Sequence, residues 1–370
     1  MCSDGRTPRT AIILGAGASA ADGAPLQADL LRGFFESRRD ADRIQNAAMQ
    51  HRLAEHFEQI WGICVTENTS HSDFPTFEEA LGLLELADSR REYFKNISRN
   101  ESHGARVSEI REHLVALIAV YLEEKLRTSQ QNHLKLISSL RRTGWITSTV
   151  FLSLNYDNLI DNALGPAADQ IDYGINFGNY RNATCASSRM PLLKLHGSLN
   201  WLFCPSCNEM FLHPGEKIAS EVLDGAHRAK CGQCQGTRVS VIIPPTFFKV
   251  MSNFYLQQVW KRAEEELKLA DRIIFCGYSF PDADMHIKYL LKRAEINRLG
   301  LPPRVFIVNE HAGKDAHARQ LEQSRYKRFF RQKDRVHWTS LTFEDFAQDP
   351  RRIEESSRIR HRSVATRGGD

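Results

Sequence analysis

Short, wholly apolar runs separated by helical stretches constrain this chain most. Ala11-Ile12-Ile13-Leu14 leads straight into Gly15-Ala16-Gly17-Ala18-Ser19, the pattern of a buried strand entering a glycine turn. Similar runs recur at Val150–Leu154, Leu192–Leu195, Val239–Ile243, Arg272–Cys276 and Val305–Val308. Helical patterns lie between several of them, as in 255–270 and 283–299. Strands with no polar alternation cannot leave one face in water, so helices must cover both faces. The expectation is an α/β fold with a Rossmann-like, doubly wound parallel sheet.

Two stretches interrupt the pattern. Residues 28–145 carry a helical period, as in Phe77, Leu81, Leu84 and in Leu114, Leu117, Ile118, Tyr121, and predict a helical insertion beside the sheet. Residues 200–238 are rich in cysteine and glycine and form a second insertion. The expected organisation is one domain over 1–345 containing both insertions. A polar, mildly basic tail follows over 346–370, with Arg351, Arg352, Arg358, Arg360, Arg362 and Arg367. A chain of 370 residues is long enough for a large domain with an attached module.

Within the second insertion, Cys204-x-x-Cys207 and Cys231-x-x-Cys234 have the spacing of two metal knuckles. Four thiolates complete a tetrahedron around Zn²⁺ and leave no open position, so the ion is expected to be structural. Two disulfides are the competing reading. MCSDGRTPRT contains no apolar leader segment, so a reducing, cytoplasmic setting is expected and metal is favoured over disulfides. Of the eight cysteines, Cys2, Cys64, Cys185 and Cys276 lack comparable spacing, and Cys276 reads as a small core residue. No apolar run approaches the roughly 20 residues of a membrane span. A net charge of only +4 gives no direct nucleic-acid signal.

The glycine turn suits close approach of a diphosphate. Gly15 and Gly17 carry no side chain, Ala16 lies between them, the following helix offers N–H groups, and Ser19 offers a hydroxyl. An ordinary tight strand-to-helix turn explains the same residues.

Three further segments, taken in order with the turn and the cysteines, resemble the sirtuin family. Leu154-Asn155-Tyr156-Asp157 follows a strand and resembles the family's motif beside the nicotinamide ribose. Leu195-His196-Gly197 resembles the segment carrying the catalytic histidine. Gly277-Tyr278-Ser279 and Asn309 follow later strands and resemble contacts to the nucleotide. The run Lys194-Leu195-His196-Gly197-Ser198-Leu199-Asn200-Trp201, the segment Gly277–Asp282 and the helix start Phe77-Glu78-Glu79 are similar to a bacterial SIR2-like branch found in anti-phage defence. The resemblance covers roughly 10–310, excluding the helical insertion.

That resemblance implies NAD as substrate and hydrolysis to nicotinamide and ADP-ribose. Asn155 would position the ribose and a water, His196 would take a proton near neutral pH, and Asp157 would orient Asn155 or balance developing charge. It also implies homo-oligomers and, for some members, a partner such as a HerA-type ATPase or an Argonaute-like protein. The chain departs from sirtuins at Pro25-Leu26-Gln27-Ala28, at Leu154, and at Ile243-Pro244-Pro245-Thr246-Phe247-Phe248, where an acyl-peptide loop is expected. An NAD-dependent protein deacylase and an inactive nucleotide-sensing module are the alternatives.

Overall fold

The computed structural model describes residues 8–36, 47–64, 74–94, 103–165, 171–179, 189–213, 230–242, 253–311 and 313–355. Segment 243–248, Cys2, Cys185 and the tail after 355 lie outside the described residues. In chain order the strands are β1 (Thr10–Leu14), β2 (Thr149–Ser153), β3 (Ile171–Asp172), β4 (Met190–Lys194), β5 (Gly197–Cys204), β6 (Glu209–Leu212), β7 (Val239–Ile242), β8 (Arg272–Cys276), β9 (Arg304–Val308) and β10 (Val336–Trp338). The helices are α1 (Ala16–Ala20), α2 (Gln27–Glu36), α3 (Ala47–Trp61), α4 (Phe77–Arg90), α5 (His103–Leu126), α6 (Asn132–Thr143), α7 (Leu159–Leu164), α8 (Phe254–Leu269), α9 (Met285–Ile296), α10 (Ala316–Phe329) and α11 (Phe343–Gln348). Two compact units result, one from 1–23, 129–197 and 247–370, the other from 24–128 and 198–246.

The first unit is built on a seven-stranded sheet in the order β10-β9-β8-β1-β2-β4-β3. Every pair in it runs parallel. All five residues of β1 are buried, as a central strand with no polar alternation requires. From β1 the chain builds outward to β4 and β3, then returns to β8 on the other flank. The doubly wound expectation is therefore met, with the reversal of strand order beside β1.

The second unit holds α2 to α5 and a three-stranded sheet, β6-β5-β7. Thr76 starts α4 with a capping box, accepting from the Glu79 N–H while the Glu79 carboxylate takes the Thr76 N–H. Phe77, Leu81 and Leu84 of α4 and Leu114, Leu117 and Ile118 of α5 are buried, as their spacing predicts.

The structure differs from the sequence reading at four places. From the Val239–Ile243 run, Val239–Ile242 forms β7 of the small sheet rather than a strand of the parallel sheet. Its neighbour β5 has no purely apolar run to announce it, yet it pairs antiparallel with β6 and buries Trp201 completely. Among the described residues no strand lies between 15 and 148, but α6 packs on α7 and α11 in the first unit, so the separate helical unit ends at 128 rather than 145. The tail does not begin at 346, because Phe346, Ala347 and Ile353 are buried and Glu354 pairs with Arg272 and Arg304.

Candidate active site and metal centre

Strand register decides which residues meet. Leu14 lies opposite Ser153 and Cys276, Ser153 opposite Lys194, and Cys276 opposite Val308. Five parallel strands thus end level. One or two residues further on come Gly15, Asn155, His196, Gly277 and Asn309, all leaving the same carboxyl edge. That edge, beside the reversal of strand order, is where open α/β sheets bind ligands.

The glycine turn is spent largely on backbone packing. The Gly15 N–H donates to the Cys276 carbonyl (2.9 Å), and the Gly17 N–H to the Gly277 carbonyl (2.8 Å). A Cβ on Gly15 would lie 2.7 Å from Gly277 O and 2.8 Å from Tyr278 Cβ, and one on Gly17 would lie 2.8 Å from Gly277 Cα. Gly277 is itself left-handed, with φ +64°. The three glycines therefore let two strand-end turns touch. Gly15 has φ −108° and ψ −178°, angles open to any residue, so contact and not backbone strain excludes a side chain there. The Ala16 N–H makes no hydrogen bond among the described residues.

Around this turn runs a polar network. The Asn155 amide group donates both protons, to the Gly15 carbonyl (2.9 Å) and to Ser19 Oγ (2.8 Å). Ser19 in turn donates to Asp157 Oδ2 at 2.7 Å. The hydroxyl proton expected to reach a diphosphate is thus used inside the protein. Asp157 Oδ1 accepts the N–H of Leu159, the first residue of α7, at 3.1 Å in an Asx-type turn. Both Asp157 oxygens hold other protein groups, so Asp157 acts on Asn155 through Ser19. Asn155 is half-buried, and its Oδ1 accepts no hydrogen bond from the described residues. That oxygen can accept from a hydroxyl or a water.

His196 is buried, and its Nδ1 lies 3.1 Å from the carbonyl oxygen of Leu154, the residue before Asn155. A carbonyl only accepts, so in this contact Nδ1 carries the proton and Nε2 is the basic nitrogen of the neutral ring. Trp260 Nε1 donates to the Leu195 carbonyl at 2.8 Å and steadies the same exit from the sheet.

The later residues are placed differently. Ser279 is exposed after β8, and its carbonyl accepts from Arg325 (3.3 Å). It is presented by Phe280, which is left-handed (φ +55°), fully buried, and stacked on Tyr326 with ring centroids 4.5 Å apart. Asn309 is buried with its amide donating to Glu322, and its carbonyl accepts from Lys314 (2.7 Å). Sequence reasoning assigned no role to Lys194, which is wholly buried and donates to the Asp157 carbonyl and to Asp161. The available signal was a lysine set inside Leu192-Leu193-Lys194-Leu195.

In the second unit the ligand atoms of Cys204, Cys207, Cys231 and Cys234 all lie within 4.8 Å of one another. A tetrahedron with Zn–S bonds of about 2.3 Å needs sulfurs about 3.8 Å apart, so the donor set fits this ion. The two knuckles share one backbone solution. Asn208 and Gln235, each directly after a second cysteine, are left-handed with φ +57° and +60°. Burial opposes the Cys231 thiolate, yet the Cys234 and Gln233 backbone N–H groups bring its pKa down to about 6. Burial likewise opposes the Cys204 thiolate, and the Cys207 N–H leads the groups that lower it. Cys276 is buried on β8, where burial raises its thiol, as a core residue should behave.

A doubly wound α/β unit with an asparagine and a histidine at its carboxyl edge is the class this geometry defines. Residues 149–330 match the family model of the SIR2-like domain. Among solved structures, a Sir2 homologue in complex with NAD is 16% identical, with 96% of this chain and 90% of that chain covered and a TM-score of 0.45. A structure addressing the mechanism and regulation of Sir2 enzymes is 15% identical, with 95% and 94% covered and a TM-score of 0.41. Sir2 with the inhibitor EX-527, 2′-O-acetyl-ADP-ribose and a deacetylated p53 peptide is 14% identical, with 95% and 94% covered and a TM-score of 0.38. No curated protein matches the sequence. No helix among the described residues is long and apolar enough to cross a membrane.

Proposed function

We propose that the chain is an NAD glycohydrolase that releases nicotinamide and ADP-ribose and serves as an effector in anti-phage defence. One observation carries the catalytic part. A continuous set of hydrogen bonds joins Gly15, Ser19, Asp157 and Asn155, and His196 is tied to the carbonyl directly before Asn155. The match of 149–330 to the SIR2-like domain supports NAD as the substrate, and the anti-phage role rests on the sequence resemblance.

The chemistry follows from the groups present. The bond between ribose C1′ and the pyridinium nitrogen breaks, its electron pair stays on nitrogen, and neutral nicotinamide leaves. Positive charge spreads over C1′ and the ring oxygen. Asn155 Oδ1 accepts from a ribose hydroxyl or from the attacking water. The water oxygen bonds to C1′, and its proton passes to His196 Nε2 or to solvent. The buried Asp157 carboxylate favours the cationic state from behind Asn155.

His196→Ala should cut nicotinamide release about 100-fold or more while NAD affinity changes little, because the lost interaction belongs to the transition state. Asn155→Ala should do the same with some loss of melting temperature, since it also removes two bonds to the glycine turn. Nicotinamide release is measured with and without an acyl-lysine peptide. Full activity in folded His196→Ala overturns the site. Release that requires the peptide points to a deacylase instead.

A further inference from the structure

We propose that Lys194 is a positioning residue that fixes Asn155 relative to His196; its kinetic consequence rests on the hydrolase reading above. Lys194 ends β4 with its side chain wholly buried. An ammonium removed from water is tolerated only when paired and hydrogen-bonded, and an apolar side chain would fill the same space at less cost. Its presence therefore calls for a geometric reason.

Its partners supply one. Nζ donates to the main-chain carbonyl of Asp157 and lies 3.0 Å from Asp161 Oδ2. The other oxygen of Asp161 accepts from the Tyr173 hydroxyl at 2.7 Å. Asp161 and Tyr173 are buried too. The ladder between β2 and β4 closes with the Leu195 N–H on the Ser153 carbonyl. Beyond it the chain segments bearing Asn155 and His196 leave the sheet. Two hydrogen bonds then bridge them, His196 Nδ1 to the Leu154 carbonyl and Lys194 Nζ to the Asp157 carbonyl. They bracket Asn155, one residue before it and two after it. Without Lys194 the turn keeps the first bridge and the bonds of Asn155 to Gly15, Ser19 and Ser153 but loses the second bridge, so the backbone after Asn155 can shift and carry the side chain with it. A shift of about 1 Å in a group that aligns water with a reacting carbon is enough to cost about 100-fold in rate.

The decisive variant is Lys194→Met combined with Asp161→Asn. It removes cation and anion together, keeps an acceptor for Tyr173, and leaves the Asp157 carboxylate in place, so the local charge is unchanged. Expected are a folded protein, a kcat for nicotinamide release lowered about 10-fold or more, and a KM for NAD within about 2-fold of wild type. Hydrogen exchange at the amides of 155–158 should speed up while that of 272–276 does not. Tyr173→Phe keeps the Lys194–Asp161 pair and the ammonium on the Asp157 carbonyl and should retain kcat within about 3-fold. Wild-type kcat in the folded double variant overturns the proposal. So does unchanged exchange at 155–158, or an equal loss of kcat in Tyr173→Phe, which makes the buried cluster a fold element only. If the wild-type protein releases no nicotinamide, the hydrolase reading fails, and the exchange measurement alone decides the role of Lys194.

Discussion

The site at the sheet edge and the cysteine centre are held together by opposite means. At the sheet edge, bonds such as Ser19 to Asp157 and Asn155 to Gly15 join residues about 140 positions apart in sequence. The side chains of Ser19, Asn155, Asp157 and His196 there each hold a partner on another strand or turn. The cysteine centre has two local knuckles and a small apolar cluster of Cys204, Phe211 and Cys231, with Leu202 and Cys207 against it. Where distant segments satisfy one another, the chain supplies its own rigidity. Where the core is a few side chains, a bound ion is the expected source of it.

The largest expected effect tests that difference directly. Structural zinc contributes on the order of 10 kcal/mol to small modules of this kind. Cys231→Ser should abolish a one-per-chain zinc content and lower the melting temperature by about 10 °C or more. Elemental analysis with calorimetry checks both. A protein that keeps its melting temperature after metal removal would show the small cluster to be sufficient.

A pair of glycines sharpens the contrast. Gly15→Val forces a side chain into the Gly277 and Tyr278 backbone, whereas a Cβ on Gly232 in the second knuckle meets nothing within 4 Å. Gly15→Val should destabilise the protein by about 1–3 kcal/mol, or more where the turns cannot separate. Gly232→Ala should stay within about 0.5 kcal/mol. Chemical denaturation of the two variants measures this. In sequence, Gly15 reads as a place where a diphosphate comes close to the backbone. The close packing on Tyr278 makes loss of stability the primary effect, and equal stability of the two variants would restore that reading.

What could be read in advance was local. Continuous apolar runs announced β1, β8 and β9, and cysteine spacing announced the knuckles, because each signal fits within a few residues. Asn155 and His196 were singled out by the resemblance, and only the register of β2 against β4 puts them at one edge. Lys194, Asp161 and Tyr173 were hidden, since a buried ion pair has no period and its members sit on separate elements. The steric duty of Gly15 was hidden too, because its neighbour Tyr278 lies more than 260 residues away. The same reason concealed Asp22, a residue that looks in sequence like any polar turn position.

Asp22 yields the smallest and most specific test, because it places a titratable carboxyl where two segments of the sheet unit meet. The α6 helix begins badly. Its N-cap, Gln131, is left-handed (φ +58°) and makes no side-chain cap. Asp22 caps it from across the chain, accepting the Asn132 N–H (2.6 Å), the His133 N–H (3.1 Å) and the His133 Nδ1 proton (2.5 Å). Asn132 Nδ2 also donates to the Ala21 carbonyl at 2.8 Å. These contacts join the point where the chain leaves the first unit, at 23, to the point where it returns, at 129. Burial pushes the Asp22 carboxyl upward, but the His133 ring and the two amides outweigh it and hold the pKa below the ordinary value. A group lowered in the folded state stabilises fully above its unfolded pKa of about 3.9, and that contribution is lost as pH falls through the lower folded value. Wild-type stability should therefore drop below about pH 4, beginning with exchange protection at the start of α6. Asp22→Asn places an amide N–H₂ where three donors converge, costs about 1–3 kcal/mol near neutrality, and flattens that part of the acid slope. Denaturation of both proteins between about pH 3 and 7 decides it. Parallel curves, with the variant displaced by a constant amount, would mean that Asp22 holds α6 through shape alone.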